Sequence, residues 1–424
     1  MFKQGLILGI DYTDDNCQAT FFNIRHNKPE SVTSGTDVMR YLIPTALLYD
    51  AEKEEWKIGN AAYERAQLTG AEVYTDFLKH SLADEKIIYG ENKELSFKEL
   101  FGIYLGMLIE MAENLTGNHK VLSITVNIND VTLEKKELFE EVFEMIGYES
   151  EKIKLLSCSE SFAYFLISEN IRLWENGSIL LDFSKHGLII RLLTIKGDEG
   201  KELIFIDEID KSGEFSIKDL ASEMMRAQLD ERLNSICEDL LEETNVSSVY
   251  FTGVGFDDIW FENTLRNLSE KVRVFKGNNI YAKGACILGY RNVQEQKDYP
   301  LVSKERTKAR VMVEAKYGTK PTKIIFTEAA MSWYDASYKM DFIVNNTSWV
   351  QFHITSLLSR ETTTVDFEFE DFPKRPNKAT RIEIGIKFLS DSECEISVTD
   401  KGFGEFFESS GKSIKKRLDL RGYV

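Results

Sequence analysis

The chain has 424 residues, of which 43% are hydrophobic and 29% are charged, and its formal net charge is -18. This length and composition are typical of a soluble globular protein with two or three domains. The negative charge argues against a nucleic-acid backbone or an anionic membrane surface as the main partner, because like charges repel each other.

The first clear pattern is a hairpin at the start of the chain. The stretch "GIDYTDDNCQATFF" runs an apolar strand into Asp11, crosses a tight acidic turn and returns as a second apolar strand. A later strand, "ILLDF", ends in Asp182 and begins another hairpin. Because strands and helices alternate after each hairpin, we predict two duplicated α/β lobes, about 1–175 and 176–290, with a cleft between them.

Several helix patterns lie between the strands. Ser96 and Glu99 form a capping box before an apolar stripe, and Gly117 follows its end. A second helix pattern ends at Gly147. Further helices are predicted over 216–242, 257–269 and 280–290.

The pattern changes after residue 290. Residues 291–310 are polar and charged, which predicts an exposed linker. Residues 311–424 form short alternating runs separated by turn residues, which predict an antiparallel β-sandwich. Its aromatic residues are assigned to the core of this sandwich: Trp333, Tyr334, Trp349 and Phe352.

The cysteines and the start of the chain bear on its compartment. Five cysteines are scattered without a C-x-x-C spacing, so we expect free thiols and no zinc. The start, "MFKQGLILGID", has neither a cationic region nor a cleavage site, and no run approaches the roughly 18 apolar residues of a membrane span. A cytoplasmic location is the simplest interpretation.

The order of several segments carries a resemblance to a known family. They are "LILGIDYTDDNCQATFF", "RYLIPTALLYDAEKEEWKIGNAAYERAQLTG", "SCSESFAYFLI", "SILLDFSKHGLIIRLL", "SVYFTGVGFDDIWFENTL", "NIYAKGACILGY" and the β-rich tail. In this order they resemble the actin-like ATPase superfamily, and within it the DnaK-type chaperones of the seventy-kilodalton heat-shock class. The resemblance implies an actin-like ATPase fold of two RNase H-like lobes over 1–290, followed by a peptide-binding β-sandwich over 311–424.

The resemblance also implies a site for ATP or ADP with magnesium. Asp11 and Asp182 would hold the metal, Lys79 would face the γ-phosphate, and Glu160 would orient water, so that Lys79, Glu160 and Asp182 are the implied catalytic residues. The implied nucleotide-binding residues lie in the two hairpins and a later glycine loop: Asp11, Thr13, Ser184, Lys185, Gly187, Gly253 and Gly255.

This sequence departs from the family in both phosphate hairpins. The family's D-L-G-T-T is replaced after Asp11 by Tyr12, Thr13, Asp14 and Asp15, whose carboxylates would repel a triphosphate. The glycines of the family's D-L-G-G-G-T are reduced to Gly187. The outer subdomain of the second lobe is also shortened. We therefore expect nucleotide and magnesium binding to be weak or absent.

Each implied site residue also has a purely structural interpretation. Asp11 and Asp182 would be turn or capping acids, Glu160 a favourable carboxylate in the first turn of a helix, and Lys79 a surface lysine. Gly253 and Gly255 would form a strand-to-helix turn, and Lys185 and His186 would be exposed at a hairpin tip.

Two functions remain open on these grounds. The first is a pseudo-ATPase scaffold that acts by binding protein or extended peptide clients, without nucleic acid or membrane. The alternative is an active chaperone in which ATP in the cleft switches peptide binding by the β-domain. A sugar or acetate kinase is less favoured, because the β-rich tail would then have no role.

Overall fold

The computed structural model describes residues 5–33, 41–90, 93–197, 202–296 and 299–421. The chain divides into two compact units, Met1–Tyr299 and Pro300–Val424. We call them the α/β unit and the β unit. The prediction of a mixed α/β region followed by a β-rich region is confirmed.

The α/β unit alternates strands and helices along its length. Its strands are β1 (Leu6–Tyr12), β2 (Asn16–Asn23), β3 (Lys28–Ser31), β4 (Ile43–Pro44), β5 (Leu47–Asp50), β6 (Glu55–Ile58), β7 (Lys86–Tyr89), β8 (Lys93–Ser96), β9 (Val121–Ile128), β10 (Ile153–Ser157), β11 (Ser178–Ser184), β12 (Gly187–Lys196), β13 (Leu203–Asp210), β14 (Ser248–Thr252) and β15 (Arg273–Lys276). Its α-helices are α1 (Asn60–Thr69), α2 (Phe77–Leu82), α3 (Phe97–Thr116), α4 (Leu133–Met145), α5 (Cys158–Ser168), α6 (Glu223–Glu243), α7 (Glu262–Ser269) and α8 (Ile280–Val293).

Two sheets of this unit share one topology. The first runs in the order β10-β9-β1-β2-β3, and the second contains the order β15-β14-β11-β12-β13. In each sheet three consecutive strands, β1-β2-β3 or β11-β12-β13, are antiparallel, each to the next. The two other strands, β9 and β10 or β14 and β15, run parallel to β1 or β11. Asp11 and Asp182 therefore lie on corresponding strands, β1 and β11.

The helices begin and end largely where the sequence predicts. Ser96 and Glu99 make both hydrogen bonds of the capping box of α3, and Gly117 ends this helix in the left-handed conformation with φ 67°. Two predictions are wrong at their starts: the helix expected over 216–242 begins only at Glu223, and the helix expected over 257–269 begins only at Glu262. Among the helices of the described ranges, none is both long and apolar enough to cross a lipid bilayer.

Helices α5 and α8 pack closely against each other and against the first sheet. A Cβ atom added to Gly284 of α8 would lie 1.8 Å from the backbone oxygen of Ser161 in α5. A Cβ atom added to Gly9 of β1 would lie 2.2 Å from the backbone oxygen of Ala282 in α8. Because real Cβ atoms do not approach backbone so closely, only glycine allows these contacts. Helix α8 is thereby fixed to the first sheet.

The β unit contains two four-stranded antiparallel sheets. Its strands are β16 (Leu301–Val302), β17 (Ala309–Tyr317), β18 (Lys320–Thr327), β19 (Ser337–Ile343), β20 (Trp349–Ser356), β21 (Thr362–Glu368), β22 (Arg381–Phe388), β23 (Glu393–Gly402) and β24 (Ser413–Asp419). The sheets run in the orders β18-β17-β20-β21 and β19-β22-β23-β24. Inward side chains of both sheets, such as Val311, Phe352, Ile384 and Ile396, form one core.

The aromatic residues of the β unit are only partly as predicted. Tyr334 and Phe352 are buried and Trp333 packs against the core. Trp349 was assigned to the core, which is wrong, because its side chain at the start of β20 is 49% exposed. The stretch predicted as a linker, 291–310, contains the end of α8, strand β16 and the start of β17.

Candidate functional site

The candidate site lies where the hairpins β1–β2 and β11–β12 approach each other. The carboxylates of Asp11 and Asp182 are close enough to interact electrostatically, and Arg191 of β12 interacts with both. The structure thus brings together the two aspartates that the sequence singles out.

Asp11 is almost buried, with 9% of its surface exposed. The Nδ2 atom of Asn127 in β9 donates a hydrogen bond of 2.7 Å to Asp11 Oδ1, and Ser161 Oγ donates one of 2.7 Å to Asn127 Oδ1. Burial, together with the charge of Asp182, raises the pKa of Asp11 to about 7, against the lowering effects of the Asn127 hydrogen bond and the Arg191 charge. Asp11 therefore carries only part of its negative charge at neutral pH.

Asp182 is bound by an internal cation. Arg191 Nη1 lies 3.3 Å from Asp182 Oδ2, and the hydroxyl of Tyr281 in α8 donates a hydrogen bond of 2.5 Å to the same oxygen. Arg191 also donates to the Tyr281 hydroxyl at 2.8 Å and lies 3.2 Å from Glu208 Oε2, which accepts a hydrogen bond of 3.3 Å from Ser159 of α5. We call these five residues the Arg191 network.

The charges of the Arg191 network compensate one another inside the protein. Arg191 is only 5% exposed, so its guanidinium group needs nearby carboxylates to offset the loss of water. Burial raises the pKa of Asp182, while the Arg191 charge and the Tyr281 hydrogen bond lower it. A magnesium ion at Asp182 would add two positive charges beside the guanidinium group, so these residues do not fit a hydrated metal ion.

The tips of the two hairpins are joined to each other. Lys185 forms an ion pair with Asp15, and both side chains are about half exposed. Thr13 Oγ1 donates a hydrogen bond of 2.7 Å to the backbone oxygen of Asn16, which closes the turn. Its hydroxyl proton is therefore not directed towards a phosphate. Ser184 similarly accepts a hydrogen bond of 3.1 Å from the backbone of His186. The polar groups expected to meet phosphate are thus engaged within the hairpins.

The glycines of the expected nucleotide site pack against the protein itself. A Cβ atom on Gly253, which has φ 93°, would lie 2.4 Å from the backbone oxygen of Phe183, and one on Gly255 would lie 2.3 Å from the ring of Phe183. A Cβ atom on Gly187, which has φ 110°, would lie 2.4 Å from the Cα atom of Ser212. The ring of Phe183 in turn contacts further aromatic rings: Phe215, Phe256 and Trp260.

Lys79 and Glu160 have different surroundings from those aspartates. Glu160 is buried in the first turn of α5, where Ser157 N donates 3.2 Å to its Oε2 and completes a capping box. This matches the structural interpretation of Glu160. Lys79 lies exposed on the short helix α2, and its ammonium group forms no ion pair within the described part of the chain.

Sequence reasoning missed the arginine at the centre of the site. Arg191 lies within the apolar strand "LIIRLL", and a charge in such a strand needs buried partners. This signal could have drawn attention to Arg191, although not to Glu208 or Tyr281, which lie on other elements. Within the described ranges, histidine, cysteine, aspartate and glutamate side chains form no group of three or more that could hold a metal ion.

The fold and site define a mixed α/β protein with two sheets of one topology, a polar site in which a buried arginine pairs with two carboxylates, and a β-rich second unit. The chain belongs to the family described as "Family of unknown function (DUF5716) C-terminal", whose model matches residues 28–304. Residues 306–420 match the model described as "Domain of unknown function (DUF8552)". A search of curated proteins finds no match to the chain.

Proposed function

We propose that this protein is a divergent relative of the DnaK-type chaperones. In this proposal its α/β unit is an actin-like ATPase fold that no longer hydrolyses ATP, and the protein acts by binding protein or extended peptide. The observation that carries the proposal is the ion pair of Arg191 with Asp182, because it puts a protein cation where catalysis would need a metal ion.

The sheet topology supports the actin-like fold. The order 3-2-1-4-5, numbered within each lobe, occurs in both sheets with the same strand directions. This is the order of an RNase H-like lobe, and its duplication with aspartates on the first strands is expected of the superfamily. Fold alone does not give activity, so the catalytic part of the proposal rests on the site.

Three features of the site support the loss of ATP hydrolysis. Arg191 neutralises Asp182, the ion pair of Lys185 with Asp15 crosses the space between the hairpins, and the glycine loop is packed against Phe183. A triphosphate would need to break the ion pair and to lie beside Asp14 and Asp15, whose charges repel it. None of these features disfavours the binding of protein clients.

The first test is a titration with magnesium and ATP. We expect no rise in melting temperature at millimolar ATP, and no phosphate release above a blank without protein. Magnesium alone and ATP with a chelator are the controls. A melting temperature that rises with ligand concentration, and no longer rises in Asp182→Ala, would instead support the active chaperone.

The β unit offers a surface for the client. Exposed apolar side chains gather at one end of it: Tyr317, Ile343, Trp349, Phe403 and Phe406. The register places them there, because Ile343 pairs with Arg381 and Arg381 pairs with Gly402, next to the loop that carries Phe403 and Phe406. We call this surface the loop end. Exposed apolar surface of this kind favours protein binding.

The second test measures binding of an unfolded client. A reduced and alkylated protein labelled with a fluorophore would be titrated with the full chain and followed by anisotropy. We expect Trp349→Ala with Phe406→Ala to weaken binding at least about tenfold, since aromatic side chains dominate such interfaces. The control is Leu358→Ala, an exposed apolar residue at the opposite end of the β unit. Equal affinity in all variants would contradict the proposed role of the loop end.

A further inference from the structure

The Arg191 network joins elements that belong to different layers of the α/β unit. Asp182, Arg191 and Glu208 lie on neighbouring strands of the second sheet, namely β11, β12 and β13. Tyr281 and Ser159 lie on α8 and α5. Each hydrogen bond from Tyr281 or Ser159 therefore connects a helix to the second sheet.

Helix α8 is in turn held by the first sheet. In addition to the close approach of Gly9, Cys286 Sγ donates to the backbone oxygen of Ile7 in β1 at 3.7 Å. At the start of α8, Asn279 Nδ2 donates to Ser31 Oγ in β3 at 2.5 Å. Tyr281 follows shortly after Asn279, so its hydroxyl is fixed relative to the first sheet. The bonds of Tyr281 to Asp182 and Arg191 consequently tie the first sheet to the second.

The charges needed for this connection are all supplied by the protein. The Arg191 guanidinium group is almost closed to water and contacts two carboxylates, Asp182 and Glu208, whose side chains are 16% and 28% exposed. A ligand changes a conformational equilibrium only when it binds one state better than the other. Since Arg191 already provides a cation between these elements, no metal ion is needed to bridge them.

We infer that the Arg191 network holds the two sheets of the α/β unit in one fixed arrangement without any ligand. This inference rests on the proposed loss of nucleotide turnover and adds to it that the cleft does not open and close with nucleotide. The exposed ion pair of Lys185 with Asp15 adds a weaker contact between the same two layers. The α/β unit would then be a rigid scaffold.

The test measures a distance across the cleft in the full chain. Spin labels on cysteines introduced at Glu137 of α4 and Glu231 of α6 would report on the two sides, since both residues are exposed. The five native cysteines are buried and need not be removed. Distance distributions from pulsed electron resonance would be compared with and without magnesium and ATP.

Tyr281→Phe is the informative variant, because it keeps the ring and removes only the hydroxyl. Tyr290→Phe is its control on the same helix: the Tyr290 ring stacks on Phe22 at 3.8 Å, and its hydroxyl makes no hydrogen bond to a described residue. We expect one narrow distribution in the wild type and in Tyr290→Phe, unchanged by nucleotide, and a clearly broader one in Tyr281→Phe. Arg191→Lys should give an intermediate width.

Two outcomes would overturn the inference, and they separate it from the proposed function. If Tyr281→Phe and Arg191→Lys keep the wild-type distribution and nucleotide changes nothing, the network does not hold the sheets, while the loss of ATP turnover still stands. If the wild-type distribution shifts with magnesium and ATP but not with ATP and a chelator, the inference fails, and the proposed function fails with it when phosphate is also released above the blank.

Discussion

The α/β unit and the β unit each contain a buried arginine side chain paired with an aspartate. The pKa values of the two aspartates are shifted in opposite directions. Asp400 of the β unit is fully buried and accepts hydrogen bonds from both Nη atoms of Arg375, at 2.7 and 2.8 Å. Ser410 and the backbone of Gly402 also donate to it. The Arg375 hydrogen bonds hold the pKa of Asp400 well below its usual range, whereas burial raises the pKa of Asp182.

The difference shows that the number of donors matters more than the presence of an arginine. Asp400 has all its lone pairs directed at donors, so its charged form is favoured despite burial. Asp182 shares its arginine with Glu208, and among the described residues it accepts hydrogen bonds at Oδ2 alone, from Arg191 and Tyr281. Perturbed carboxylates of this second kind are found at functional sites more often than saturated ones. The pair in the β unit is a structural clamp.

The largest effect is expected from breaking that clamp with Arg375→Met. This variant leaves the Asp400 charge buried with fewer donors, and we expect a loss of about 4 kcal/mol in the free energy of unfolding of the β unit. Hydrogen exchange of β22 to β24 in the full chain, measured by mass spectrometry, would localise the loss.

The pH dependence of the same variant has a definite sign. Because the folded pKa of Asp400 is depressed, its contribution is present above the unfolded pKa of about 3.9 and is lost as pH falls below it. The protection factors of these strands, which correct for the slower intrinsic exchange at low pH, should therefore fall below about pH 4 in the wild type and depend less on pH in the variant. Arg381→Met, whose exposed side chain lies 3.7 Å from Asp341, is the control and should cost less than about 1 kcal/mol. A similar loss in both variants would contradict the clamp.

Arg191→Met should lower the free energy of unfolding by somewhat less than Arg375→Met does, by about 3 kcal/mol at pH 8. Asp182 can relieve the loss of its partner by taking up a proton, since its pKa is already raised, so the cost should be smaller at pH 6. Urea unfolding of the full chain at the two pH values would measure this difference. Arg273→Met, at an exposed position on β15, serves as the control. An Arg191→Met cost that is the same at both pH values would show that Asp182 does not take up the proton.

Asp11→Asn should stabilise the protein, by about 2 kcal/mol at pH 8. The folded pKa of Asp11 is raised to about 7, so its contribution to stability is full below the unfolded pKa of about 3.9 and is lost as pH rises through 7. Asparagine avoids that loss and still accepts the hydrogen bond of Asn127. Urea unfolding between pH 5 and 8 should give a flatter profile in the variant, and Asp130→Asn, at an exposed residue, should leave the profile unchanged. A steeper profile in Asp11→Asn would refute this assignment of the pKa.

Local rules predicted much of the fold from the sequence. The hairpins at Asp11 and Asp182, the capping box at Ser96 and the boundary between the α/β and β-rich regions follow from periodicity and turn residues. The late start of α7 was missed. Here, Phe256, Trp260 and Phe261 enter an aromatic core instead of continuing a helix, and such tertiary packing leaves no period in the sequence.

The site was predictable only in part, because it depends on residues far apart in the chain. The aspartates were found because each ends an apolar strand before a turn. Tyr281 could not be connected to Asp182 without the packing of α8, which depends on the close approaches of Gly9 and Gly284. Trp349 was assigned to the core together with the other aromatic residues of the β-rich region, but it lies at the start of an alternating strand and its side chain is exposed.

The smallest effect is expected for the ion pair of Lys185 with Asp15 at the hairpin tips. This pair is exposed, so it tests whether an exposed charge pair contributes less than the buried ones. Lys185 and Asp15 are 50% and 46% exposed, so water and salt screen their attraction. A double-mutant cycle with Lys185→Met and Asp15→Asn should give a coupling energy below about 1 kcal/mol at low salt. At about 1 M sodium chloride, where the Debye length is about 3 Å, the coupling should disappear. A coupling that persists there would mean that this pair contributes, together with the Arg191 network, to holding the two sheets together.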